Sequence, residues 1–71
     1  MTAINHETLL EYGFVFQQVK RSYRIDINGA AFGVVQKGDQ WLASPIPMEF
    51  ASLSNVESME EVEEMIGSKL K

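Results

Sequence analysis

The chain has 71 residues, a net charge of −4 and no cysteine, and 45% of its residues are hydrophobic. This composition is typical of one small folded domain, and the absence of cysteine excludes disulfides and thiolate metal sites. The start of the chain lacks the apolar run of a secretory signal, and no stretch is apolar enough to span a membrane, so we expect a cytoplasmic protein with no membrane partner.

The first predicted element is a helix over residues 6–12. Asn5 is a suitable N-cap, and apolar residues recur at helical spacing after it. Gly13 leaves two interpretations open. Either the helix continues to Gln18, or Gly13 takes a left-handed conformation that closes the helix, and an extended segment begins at Phe14.

The pair Asn28-Gly29 predicts the turn of a β-hairpin. Both residues accept the positive φ angle of a type I′ turn, whose twist matches that of the flanking strands. The strands then run from Ser22 to Ile27 and from Ala30 to Gln36. The register places the large apolar residues on one face of the sheet, namely Tyr23, Ile25, Ile27, Phe32 and Val34.

A second tight turn, Lys37-Gly38-Asp39, predicts a third strand over residues 40–44. Pro45 and Pro47 are expected to end this strand because proline cannot donate a hydrogen bond to a neighbouring strand. The segment from Met48 to Asn55 has no clear pattern, and it fits a loop, a helical turn or a short fourth strand.

The final predicted element is a helix that starts at Met59. Ser58 and Glu61 form a capping box, in which each side chain accepts a backbone N–H at the start of the helix. Gly67 is expected to end the helix early. The apolar stripe that would pack on the sheet consists of Met59, Val62, Met65, Ile66 and Leu70.

Together these elements predict a single α+β domain over residues 1–71, with an N-terminal helix, a three-stranded antiparallel meander and a C-terminal helix. Both helices are expected to pack on the face that carries Tyr23 and Ile25. The opposite face, which we name the far face, carries Arg24 and Val35 and is expected to stay open.

The length of the second turn decides which large side chain joins Arg24 and Val35 on the far face. A loop of three residues places Trp41 there, and the result is an aromatic and guanidinium patch of the kind found at the centres of protein interfaces. A loop of two residues places Leu42 there instead, and Trp41 then closes the edge of the core.

The negative charge is concentrated at the end of the chain. Residues 49–71 contain six glutamates and two lysines, whereas the charges before residue 49 cancel. This cluster predicts either an ordinary solvated helix face or a docking surface for a basic partner. In the second case the partner-binding residues include Glu60, Glu61 and Glu64.

The alternative function is RNA or DNA binding, through a basic surface of Lys20, Arg21, Arg24 and Lys37. The order of helix, three-stranded meander and helix resembles that of double-stranded-RNA-binding domains, and the resemblance covers most of the chain. In that family the second helix begins with lysines that contact phosphates, whereas residues 58–64 of this chain are acidic. Nucleic acid is therefore the less favoured partner.

The sequence contains no catalytic or cofactor-binding pattern. His6 is the only histidine and has no motif around it, and no metal, cofactor or small-molecule substrate is indicated. We therefore predict a non-enzymatic protein-binding domain. It is expected to be either a homodimer or a bacterial or phage adaptor, accessory or inhibitor protein that binds another protein.

Overall fold

The computed structural model describes residues 1–46 and 52–70 of the chain. In this part a helix is followed by five strands and a second helix. Their bounds are α1 His6–Glu11, β1 Val15–Gln17, β2 Ser22–Ile27, β3 Ala30–Lys37, β4 Gln40–Pro45, β5 Ser54–Val56 and α2 Met59–Ile66.

The strands form one antiparallel sheet, in the order β1-β2-β3-β4-β5. The prediction of a small α+β domain with a helix at each end is confirmed, but the three-stranded meander is wrong because β1 and β5 extend the sheet at both edges. Each edge strand has only three residues, which is too short for an alternating pattern to stand out. β5 begins within the segment of residues 48–55 that the sequence left open, in agreement with the short-strand alternative, and residues 48–51 of that segment lie outside the described residues.

The central hairpin is confirmed. Asn28 and Gly29 have φ angles of 51° and 81°, and the strands on either side pair in the predicted register, with Tyr23 opposite Val34. The turn and the hydrophobic alternation select the same register, because a slip of one residue would move every apolar side chain of the hairpin to the wrong face.

The start of α1 and the role of Gly13 follow from local hydrogen bonds. The Asn5 side chain accepts the backbone N–H of Thr8 at 2.8 Å. Gly13 has a φ angle of 102°, so the left-handed interpretation is confirmed and the helix does not continue to Gln18. The chain leaves the helix at this glycine and enters β1 at Val15.

The third strand of the predicted meander ends near its prolines, as expected. β4 includes Pro45 as its last residue, and the backbone N–H of Ile46 still donates to the carbonyl of Ala31 at 2.9 Å. Pro47 lies outside the described residues.

The C-terminal helix α2 starts at the predicted residue. The Ser58 side chain accepts the backbone N–H of Glu61 at 3.3 Å. The Glu61 carboxylate in turn accepts the backbone N–H of Glu57, one residue before the N-cap. Gly67, with a φ angle of 80°, ends the helix as predicted.

The core lies on one face of the sheet, which we name the core face. Leu9 of α1 and the α2 residues Met59 and Val62 are fully buried. These helical residues belong to one hydrophobic cluster with sheet residues, so both helices pack on the same face, as predicted. The sheet residues of the cluster are Tyr23, Ile25, Val34, Ala43 and Val56.

Candidate functional site

Two rows of cross-strand neighbours form the centre of the far face, and the pairs Asp26 with Ala31 and Lys37 with Gln40 flank them. Since side chains alternate along a strand, the pairing register determines which residues share a face. The first row consists of Val15, Arg24, Gly33 and Ser44. The second row consists of Gln17, Ser22, Val35, Leu42 and Asn55.

The far face is less open than the sequence predicts. Small residues in its centre are buried, although both helices pack on the other side of the sheet. Val15 is 65% exposed, and Val35 and Leu42 are half-buried. These three side chains provide apolar surface that a partner can contact. The buried small residues are Ser22, Gly33 and Ser44.

Arg24 forms an ion pair on the far face. Its Nη2 lies 3.1 Å from Oδ1 of Asp26, and its Nε donates to the same oxygen at 3.3 Å. The two side chains are 41% and 68% exposed, so the pair contributes only about 0–1 kcal/mol to stability. Its main effect is to orient the guanidinium while leaving it accessible.

Trp41 lies on the core face and not on the far face. The register of β3 and β4 leaves a two-residue loop, Gly38-Asp39, which gives Leu42 the position beside Val35. Trp41 is half-buried, and its ring centroid lies 6.0 Å from that of Tyr23. The prediction of a patch that unites Trp41 with the far-face residues is therefore wrong, and the alternative, in which Trp41 closes the core edge, is correct.

The acidic residues of α2 are partly used within the chain. Oε1 of Glu60 accepts the backbone N–H of Thr2 at 2.7 Å, and this hydrogen bond lowers the pKa of Glu60. Glu61 binds the backbone N–H of Glu57, whereas Glu64 is exposed. Glu60 and Glu61 thus have structural roles in addition to the partner-binding role predicted for them.

The cations of the nucleic-acid alternative lie in two places. Lys20 and Arg21 are in the turn between β1 and β2, and Lys37 ends β3 at the same end of the sheet. Arg24 lies on the far face, where Asp26 offsets its charge. The pair of Ser22 and Val35 lies between Arg24 and the end of the sheet that carries the other three cations.

A row of rings that the sequence analysis missed crosses the core face. The ring centroids of Phe16 and Tyr23 are 5.0 Å apart, and those of His6 and Phe16 are 5.5 Å apart. Nδ1 of His6 lies 2.7 Å from the Tyr23 hydroxyl, and burial raises the pKa of Tyr23. The part of the sequence that could have revealed this pair is Phe14-Val15-Phe16. If this segment is taken as a strand, its alternation places Phe16 beside Tyr23.

Across residues 1–46 and 52–70, no group of three or more histidine, aspartate or glutamate side chains could hold a metal ion. No helix within those ranges is long and apolar enough to cross a membrane.

Comparisons with known proteins give no match. No protein-family model, curated protein or solved structure is similar to this chain at a significant level. The candidate surfaces are therefore assessed from their geometry and chemistry alone.

Proposed function

We propose that this chain is a non-enzymatic protein-binding domain that contacts its partner through the far face. The observation that carries the proposal is an apolar strip beside the accessible guanidinium of Arg24, on a sheet face away from both helices: Val15 lies opposite Arg24, Val35 lies diagonal to it, and Leu42 lies beside Val35. Apolar side chains around an arginine are typical of the energetically important centre of a protein interface.

A second copy of the chain is one partner that fits the far face. Arg24 and Asp26 carry opposite charges two residues apart, so a copy rotated by 180° could place each charge opposite its complement. A domain of 71 residues also gains stability when it buries further apolar surface by association. A different protein that presents apolar side chains and an acidic group could make the same kinds of contact with the far face.

The acidic surface of α2 is a separate feature. Because α2 packs on the core face, the exposed Glu64 lies on the other side of the sheet from Arg24. One flat partner surface cannot contact both. The proposal therefore places the main interface on the far face, and a basic partner for α2 would bind independently.

The test uses two matched substitutions. Val15→Lys places a charge on the far face, whereas Val19→Lys places the same charge at a valine that is 98% exposed in the neighbouring turn. Purified wild type and both variants are first checked for equal folding by circular dichroism. Self-association is then measured by analytical ultracentrifugation, and partner capture by affinity purification from the source cells.

We expect Val15→Lys to weaken association by at least about tenfold, because a charge buried in an interface must be desolvated, and Val19→Lys to leave it unchanged. Loss of a dimer would identify the partner as a second copy, and loss of a captured protein would identify a different partner. Equal association by all three proteins would contradict the proposal.

A further inference from the structure

A surface cavity of ≈ 550 Å³ lies at the end of the sheet where β1 turns into β2. It is lined by two rings, two amides and one cation. These belong to Phe16, Gln18, Arg21, Tyr23 and Gln36. Its volume is within the range of roughly 300–1,000 Å³ that small-molecule sites occupy. The cavity is separate from the far face, because Phe16, Tyr23 and Gln36 all point to the core side of the sheet.

The floor of the cavity is aromatic and held in place. Phe16 and Tyr23 are cross-strand neighbours whose ring centroids are 5.0 Å apart. The Tyr23 hydroxyl is tied to His6 by a contact of 2.7 Å, and the His6 ring also packs edge-on against Phe16. Because Tyr23 is only 7% exposed, the half-buried Phe16 presents the accessible ring. Another aromatic ring could pack on Phe16 without reordering the side chains beneath it.

The wall of the cavity carries the guanidinium of Arg21. Arg21 lies in the turn before β2, and the ion pair found within residues 1–46 and 52–70 joins Arg24 to Asp26, not Arg21 to a carboxylate. None of the described residues that line the cavity is acidic. A guanidinium offers donors that match the oxygens of a carboxylate. Gln18 and Gln36 add amide groups that can donate to or accept from a polar substituent.

We propose that this cavity binds a small aromatic carboxylate. The ligand's ring packs on Phe16, beside the exposed edge of Tyr23, and its carboxylate binds the guanidinium of Arg21. The site is independent of the interface proposed above, because Arg24 and Val15 lie on the opposite face of the sheet. A negative result for one proposal therefore does not contradict the other.

The binding test follows backbone amide signals by ¹H–¹⁵N NMR during titration with 1-naphthoate and benzoate. Two matched compounds separate the contributions of charge and ring: 1-naphthalenemethanol keeps the ring without the charge, and cyclohexanecarboxylate keeps the charge without the aromatic ring. We expect saturable shifts at residues 16–23 and at Gln36 with the aromatic acids, and much weaker binding of both controls.

Two variants test the role of the cation. Arg21 has a positive φ angle of 51°, a conformation that asparagine tolerates, so Arg21→Asn removes the charge with little backbone strain. Lys20→Asn removes the neighbouring charge, which does not line the cavity. We expect Arg21→Asn to raise the Kd for 1-naphthoate about tenfold or more, and Lys20→Asn to change it less than about twofold.

Three results would overturn the proposal. The first is an absence of saturable shifts at the lining residues with either aromatic acid. The second is equal binding of 1-naphthoate and its uncharged analogue, and the third is an equal effect of Arg21→Asn and Lys20→Asn. The far-face variant Val15→Lys should bind 1-naphthoate like wild type, which keeps this outcome distinct from that of the interface experiment.

Discussion

His6 and Tyr23 join the first helix to the sheet through a contact of 2.7 Å between Nδ1 and the phenolic oxygen. His6 is the first residue of α1, and Tyr23 lies in β2 and is only 7% exposed. The contact gives the buried hydroxyl a hydrogen-bonding partner at the edge of the core. It also holds the rings that form the cavity floor.

The first prediction is that His6 and Tyr23 are energetically coupled. The variants His6→Ala, Tyr23→Phe and the double variant should give a coupling energy of about 0.5–1.5 kcal/mol, because each single change removes the same hydrogen bond. Urea unfolding near neutral pH measures the three free energies. Additive effects of the two single changes would show that the contact does not contribute to stability.

The second prediction compares two valines in strands. Val34 is fully buried, whereas Val15 is 65% exposed, so alanine at the two sites changes strand propensity similarly but burial differently. Val34→Ala should lower the free energy of unfolding by about 2 kcal/mol, through lost burial and the cavity left behind. Val15→Ala should change it by less than about 0.5 kcal/mol. Similar losses of unfolding free energy for the two variants in urea would show that Val34 does not belong to the core.

The third prediction concerns the pH dependence of the contact between Glu60 and the N-terminal segment. The Thr2 N–H lowers the pKa of Glu60, so the charged carboxylate is favoured in the folded protein. The resulting stabilisation is present above the ordinary pKa of a glutamate and is lost as the pH falls through the lowered value.

The amide chemical shift of Thr2 should therefore move on acidification, with a midpoint below the ordinary pKa of a glutamate. Glu60→Gln should abolish this transition, while Glu64→Gln, one turn further along the same helix, should leave it intact. A Thr2 transition that survives in Glu60→Gln would assign the shift to another group.

The fourth prediction tests the turn of the central hairpin. Gly29 has a φ angle of 81°, and an added Cβ would meet nothing within 4 Å. Gly29→Ala should therefore cost about 1–2 kcal/mol through backbone strain alone, and Gly29→Asn should cost less because asparagine tolerates a left-handed conformation. Thermal and urea unfolding measure both values. Equal costs for the two variants would show that strain at this residue is not the cause.

The local sequence determined the hairpin and the caps of both helices. Asn28-Gly29 supplies the φ angles of the turn, and the alternation on either side of it selects the register. Asn5 and Ser58 each bind an N–H three residues along the chain. Such features could be predicted because the residues that make each contact are close in sequence.

The tertiary structure alone decided which surfaces are available for binding. Glu60 binds Thr2 across 58 positions, and His6 reaches Tyr23 across 17, so no local pattern reports either contact. The face on which Trp41 lies depended on whether the loop between β3 and β4 has two or three residues. A small change in a turn reverses every side chain that follows it in the strand, and only the completed pairing of the sheet determines the outcome.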